Sequence, residues 1–296
     1  MNKLIFLCLF ISFSSVSVAK VIHKERSLYR NIIVEDNYNL RCLKFNVKTS
    51  KTNQSCLYKD EPQKLVFNYT KLLFSSLLLL DKAPEKILII GLGGGTMSNS
   101  LHQLYPQAII ENVEIDPAVI KVARQYFSFF ENDKVTSKVQ DGRIFVKRAA
   151  MKNQTYDWII LDAFNGDYIP EHLLTKEFLQ ETKSLLSKDG VLSANTFSVS
   201  DLYAHESATY KAVFGDFFNV RNQKNSNRII LTSNNPLPSG KVIIERVKKL
   251  NLNLSPFGVD IAKISTNMTS TKEDQDWPEN TKLLTDQFSP ANLLNQ

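Results

Sequence analysis

The chain reads as an α/β protein, a parallel sheet covered by helices on both faces and preceded by a small β-domain. Three observations predict this. A continuous apolar run, Ile87 to Ile90, leads into a glycine-rich turn containing Gly91, Gly93, Gly94 and Gly95. Beyond it, apolar segments of strand length alternate with segments of helical periodicity. Three acids, Glu114, Asp141 and Asp162, stand at the ends of successive strand segments. A short apolar run bounded by glycine reads as a strand buried on both faces. Alternation of this kind places a ligand at the carboxyl ends of parallel strands.

The glycine turn is the organising element. Without Cβ atoms, its backbone can bend sharply and let a ligand approach where the next helix begins. A second apolar strand, Ala108 to Ile115, carries Glu114, 23 residues beyond Gly91. A nucleotide-binding unit needs a carboxylate at that point to accept hydrogen bonds from a ribose diol. The competing reading is a purely structural strand-to-helix turn. Further strands are expected at Val135 to Gln140, Trp158 to Asp162, Gly190 to Thr196, Asn219 to Arg221 and Ile229 to Thr232. Helices fit at Met97 to Leu104, Pro117 to Phe127, Gly142 to Ala150, Leu174 to Leu186 and Leu202 to Phe214.

Upstream, residues 27–58 read as a small β-domain. Ser27 to Val34 and Tyr38 to Val47 form a hairpin around the turn formers Glu35-Asp36-Asn37, and Gln54 to Tyr58 supplies a third strand. Cys42 and Cys56 fall on neighbouring strands, which predicts a disulfide in an oxidising compartment; two buried free thiols are the alternative. Pro62 to Leu80 has helical spacing and ends at Asp81 to Pro84. The organisation is therefore residues 1–19, then 20–82 as β-domain and connecting helix, then 83–296 as the nucleoside-binding domain.

Residues 1–19 have the form of a secretory signal peptide. Lys3 precedes an apolar core from Leu4 to Phe13, and Ser17-Val18-Ala19 offers a small-residue cleavage site before Lys20. This predicts export, periplasmic or secreted. An uncleaved membrane anchor over residues 4–19 is the alternative, although the run is short for a span. The formal net charge of +6 is scattered, with no Lys/Arg stripe, so no nucleic-acid partner is expected. Cys42 and Cys56 lie in no CxxC and have no nearby His, so no metal site is expected. His23, His102, His172 and His205 share no spacing and read as surface or core residues, with Tyr203 and His205 as conceivable neighbours of the site. Asp286 reads equally as a functional acid or a turn cap.

The order of these parts resembles the spermidine synthase (polyamine aminopropyltransferase) family. The matching segments are SLYRNIIV at 27–34, NQS at 53–55, a helix bearing Tyr69, GLGGG at 91–95, VEIDP at 113–117, QDGR at 140–143 and YDWIILDAF at 156–164. YAHESATYKAVFGDFF at 203–218 and LLTDQFSP at 283–290 are most similar to a divergent, spermidine-synthase-like branch. The resemblance implies a methyltransferase-like Rossmann domain behind a small N-terminal β-domain, and a homodimer. It implies decarboxylated S-adenosylmethionine, or S-adenosylmethionine, as co-substrate rather than a tightly bound cofactor, and a polyamine or other small amine as acceptor.

Carried over by position, Glu114 would hold the ribose hydroxyls and Asp141 the adenine amino group. Gln54, Tyr69, Gly91 and Gly93 would line the donor. Asp162 would be the catalytic acid that orients and deprotonates the amine. A sulfonium is a good leaving group, so the chemistry needs chiefly an aligned neutral amine and a proton acceptor. For Asp162 alone, the competing reading is a strand-end acid capping a backbone group. The chain departs from the family pattern at Gly94, where the family has an Asp that meets the donor's amino end. It departs again at Asn165, where a second acid helps to hold the amine, with Asp167 as the candidate replacement, and at Thr70-Lys71, where the family has His-Glu. Aminopropyl transfer leads, an N-methyltransferase using the same pocket follows, and an exported polyamine- or nucleoside-binding protein without catalysis is third. Export itself sits awkwardly with donors made in the cytosol.

Overall fold

The computed structural model describes residues 19–45, 52–164, 168–222 and 226–288. Two sheets carry the chain. The first is built from β1 (Lys20–Arg26), β2 (Asn31–Asn37), β3 (Leu40–Phe45) and β4 (Asn53–Tyr58), antiparallel and in sequence order. It therefore has one strand more than expected: β1 is polar along most of its length, so alternation did not reveal it. Cys42 stands directly opposite Cys56 in the β3–β4 register, and the two form a disulfide.

The segment Pro62 to Leu80 is not one helix. It contains a short α1 (Asn68–Leu72) continued by a 3-10 helix, Leu73–Leu78. Every residue of the 3-10 stretch is buried, so it has no solvent face for an amphipathic period to mark.

The second sheet has eight strands, formed around β5 (Lys86–Ile90), β6 (Ile109–Glu114), β7 (Val135–Val139), β8 (Tyr156–Leu161) and β9 (Leu186–Phe197), all parallel. Antiparallel strands β10 (Phe218–Arg221), β11 (Asn227–Ser233) and β12 (Met268–Ser270) extend it in the order β12-β10-β11-β9-β8-β5-β6-β7. Along β5, Ile87 and Ile89 enter one apolar core while Leu88 and Ile90 enter the other. This is the two-sided burial that the unbroken apolar run predicts.

The connecting helices are α2 (Thr96–Leu104), α3 (Pro117–Tyr126), α4 (Gly142–Met151), α5 (Lys176–Lys183) and α6 (Tyr203–Phe214). α5 starts later than expected because Thr175 caps it, accepting from the Phe178 N–H, and it ends earlier because β9 already begins at Leu186. α7 (Gly240–Lys249), α8 (Ile261–Ser265) and β12 lie beyond the last element expected from sequence. The small sheet packs on α3, burying Ile32, Val34, Leu43 and Leu57 against Val119 and Val122. That contact hangs β4 over the glycine turn.

The disulfide closes a loop with a sequence separation of 14. Its reduction is expected to lower the unfolding free energy by about 3 kcal/mol, read from urea denaturation with and without dithiothreitol.

Candidate active site

In the sheet order β5 lies between β6 and β8, so the order of the parallel strands reverses beside it and a crevice opens at the strand ends. Gly91 leaves β5 on one side of this crevice and Asp162 leaves β8 on the other. Gly91 has φ +96°, and a Cβ there would fall 2.2 Å from the Asp162 carbonyl oxygen. The Asp162 N–H donates to the Ile90 carbonyl at 2.8 Å, and the Gly91 N–H donates to the Val113 carbonyl at 2.8 Å. Glycine at this position thus lets the turn press against the backbone that carries the acid.

A cavity of about 280 Å³ lies in the crevice. Gln54, Tyr69, Gly91, Gly93, Glu114, Asp141 and Asp162 all line it. The structure therefore brings together seven candidate residues that are scattered over 109 sequence positions, from Gln54 to Asp162 inclusive. Asn165 and Asp167 lie outside the described residues.

Asp162 is held from two sides. The Tyr69 hydroxyl donates to Oδ2 at 3.2 Å and the Asn195 amide donates to Oδ1 at 2.8 Å. Both of these donors are side chains, whereas the capping reading places the acid on a backbone group. Burial pushes its carboxyl up to about 7, against the opposing pull of the Asn195 and Tyr69 hydrogen bonds. Burial and the neighbouring carboxylate raise the Tyr69 hydroxyl well above its ordinary value.

Glu114 and Asp141 serve the turns as well as the cavity. Glu114 accepts from the Leu92 N–H through Oε2 at 3.1 Å and from the Asp116 N–H through Oε1 at 3.0 Å. Burial raises its carboxyl, opposed by these two N–H groups and by Arg30. Asp141 caps α4 by accepting from the Ile144 N–H at 3.0 Å, and its Oδ2 lies 2.8 Å from Nε2 of His172. Each carboxylate keeps lone pairs beyond those used by the backbone, so each can also accept from a ligand. Gln54 reaches Thr52 Oγ1 at 3.3 Å from the β4 side.

Three cavity or contact residues were not found from sequence. Arg30 lines the cavity with its guanidinium 4.3 Å over the Phe45 ring, its Nη1 donating to the Phe164 carbonyl at 3.4 Å and its Nε 3.6 Å from Asp116 Oδ2. His172 lines the cavity and meets Asp141, contrary to its reading as an unremarkable histidine. Asn195 reads on paper as one polar residue in a buried strand. Tyr203 and His205 do not line this cavity. The Tyr203 hydroxyl donates to Asp276 and His205 Nδ1 lies 2.7 Å from the Lys282 carbonyl. Asp286 is paired bidentately with Arg143 at 2.6 and 2.7 Å, which fastens the C-terminal segment to α4 and holds the Asp286 carboxyl below its ordinary value.

Fold and cavity together define a methyltransferase-like Rossmann protein with an acid-lined crevice of about 280 Å³ at its strand ends. The model of the spermine/spermidine synthase domain matches residues 66–221, more than half of the chain, and the protein belongs to that family. Polyamine aminopropyltransferase of Vibrio vulnificus is 46% identical over 290 residues, covering 97% of this chain and 96% of that one. A probable spermidine synthase from Corynebacterium glutamicum superposes with a TM-score of 0.68 at 22% identity, covering 89% of this chain and 96% of that chain. Human methyltransferase-like protein 13 in complex with SAH superposes with a TM-score of 0.58 at 24% identity, covering 73% of this chain and 97% of that one.

Gly91→Ala combines a strained φ with a backbone overlap. We expect it to destabilise the protein by at least about 3 kcal/mol, measured by urea denaturation, and to weaken nucleoside binding in the fraction that folds.

Proposed function

We propose that the protein transfers an aminopropyl group from decarboxylated S-adenosylmethionine to a polyamine amine. The observation that carries this is Asp162: a carboxylate with a raised proton affinity, clamped between Tyr69 and Asn195 at the end of a cavity whose other acids suit a nucleoside. Membership of the family and the near full-length similarity to an aminopropyltransferase support the same reading. Glu114 accepts from the ribose hydroxyls, Asp141 accepts from the adenine amino group, and Tyr69 and Gln54 bound the donor from the N-terminal side. The amine nitrogen forms a bond to the carbon beside the sulfonium, the carbon–sulfur bond breaks onto sulfur, and methylthioadenosine leaves as a neutral thioether. The new secondary ammonium gives its proton to Asp162. A carboxyl that titrates near neutrality suits that task.

A second reading, N-methyl transfer from S-adenosylmethionine, is favoured by Gly94. A Cβ there would stand 2.6 Å from Ser55 Oγ and 3.0 Å from the Phe127 ring, so the acid that the resemblance places against the donor's ammonium would fit only if both side chains shifted. Mass spectrometry separates the readings after incubation of the protein with diamines and either donor. Aminopropyl transfer yields methylthioadenosine and an amine longer by one aminopropyl group; methyl transfer yields S-adenosylhomocysteine and a methylated amine. Donor binding with neither product identifies a non-catalytic binding protein.

Asp162→Asn is expected to lower kcat by about 100-fold or more. In the unaltered protein kcat/KM should fall as pH drops through about 7, because protonation removes the base. A flat profile between pH 6 and 8 contradicts Asp162 as proton acceptor.

Export belongs to the same proposal, supported by the apolar segment Leu4 to Phe13, the Ser17-Val18-Ala19 exit and the Cys42–Cys56 disulfide. Fractionation with N-terminal sequencing tests it: a soluble exported chain should begin at Lys20, and an intact N-terminus in the membrane fraction would show an anchor. A homodimer, implied by the family resemblance, is tested by sedimentation of the same material.

A further inference from the structure

Asp162 is reached from the sheet by a chain of two amides. β9 and β11 run antiparallel, with Asn195 opposite Ile229 and Phe197 opposite Asn227. Asn195 and Asn227 therefore point to the same face as diagonal neighbours. Asn227 Nδ2 donates to Asn195 Oδ1 at 3.0 Å, and Asn195 Nδ2 donates to Asp162 Oδ1 at 2.8 Å. We propose that Asn195 and Asn227 are positioning residues for Asp162: Asn227 fixes which way the buried Asn195 amide faces, and Asn195 thereby holds a donor on one carboxylate oxygen. The inference rests on the reading of Asp162 as the proton acceptor.

The physical argument is one of polarity. A primary amide has an accepting end and a donating end. With its oxygen occupied by Asn227, Asn195 can present only its NH₂ group to the acid. A flipped amide would set two oxygens against each other at Asp162 and two NH₂ groups against each other at Asn227. Held as it is, Asn195 occupies Oδ1 and leaves Oδ2 to Tyr69 and the incoming amine. The same donor favours the ionised carboxylate, opposing the burial that raises it.

Asn227 is itself anchored through the next residue. Arg228 is fully buried on the opposite face of the strand, where its Nε donates to Thr196 Oγ1 at 2.8 Å and its Nη1 to Ser207 Oγ at 2.7 Å. Its Nη2 also meets Glu206 Oε2 at 3.2 Å. These bonds join β11 to β9 and α6 beside the amide pair, so the pair cannot slide along the strands.

Among the described residues, the titratable group in direct contact with Asp162 is the Tyr69 hydroxyl, from α1. Glu114 at the end of β6, Asp141 at the start of α4, and His172 in the 3-10 turn Glu171–Leu173 line the same cavity. Arg30, from the start of β2, approaches through the Phe164 carbonyl. Substitution of either asparagine alters none of these groups.

The test is a carbon-13 NMR titration of the Asp162 carboxyl in the full chain, assigned by Asp162→Asn. It compares the unaltered protein with Asn195→Ala, Asn227→Ala and the double variant. Loss of a hydrogen bond to the charged form should move the Asn195→Ala midpoint up by about one pH unit. Asn227→Ala should move it in the same direction by less, and should add nothing in the Asn195→Ala background, because its influence passes through that amide. The acid limb of kcat/KM should follow the carboxyl midpoint in each variant. An unchanged midpoint in Asn195→Ala, or an equal Asn227→Ala displacement in both backgrounds, overturns the proposal. A purely structural role would lower the unfolding midpoint in urea without moving the carboxyl titration. Absence of turnover in the unaltered protein would count against aminopropyl transfer, while the carboxyl titration would still decide the role of the two amides.

Discussion

Where β5 and β8 end side by side, the Gly91 α-carbon lies so close to the Asp162 main chain that a β-carbon would sit 2.2 Å from the carbonyl oxygen. Much follows from that approach. It lets the glycine turn fold back over the strand ends, which brings the Leu92 N–H onto Glu114 and leaves Asp162 facing the same cavity as the turn. The small sheet then closes the cavity from above, because its apolar face is buried on α3 and β4 projects Gln54 and Ser55 toward the loop. The Cys42–Cys56 bond joins that strand to β3 at a residue that itself lines the cavity.

The three acids differ in how they are stabilised, and the difference supports the roles proposed for them. Glu114 and Asp141 each accept backbone N–H groups, so each is tied to a turn and presents its remaining lone pairs in a fixed direction. Such groups recognise hydroxyl and amino donors well. Asp162 accepts from two side chains, Tyr69 and Asn195, and burial raises its proton affinity. That is the environment of a group that gains and loses a proton. Gly94 departs from the pattern that the family resemblance implies: a β-carbon there would crowd Ser55 Oγ and the Phe127 ring, so a loop acid would need both to shift.

Much of this was legible because the parallel strands are buried on both faces and bounded by glycine and acid. Ile87 to Ile90 and Trp158 to Asp162 carry that signal in a few residues. β1 was not legible, since KVIHKER is mostly polar and gains its order from pairing with β2. The 3-10 stretch Leu73–Leu78 was misread as regular helix because a fully buried segment has no polar face to reveal its period. In the site, acids at strand ends could be picked out by position. Arg30, His172 and Asn195 could not, because their roles depend on which neighbours the fold supplies: Phe45 and Phe164, Asp141, and the Asn227–Asp162 pair. A lone polar residue has no sequence period to identify it.

The central claim is that the crevice between Gly91 and Asp162 is a nucleoside site, and calorimetric titration with methylthioadenosine tests it most directly. The predicted result is saturable binding to the unaltered chain, weakened about tenfold or more in Asp141→Ala through loss of the adenine contact. Failure of methylthioadenosine and both S-adenosyl donors to bind, or equal affinity in Asp141→Ala, would contradict it.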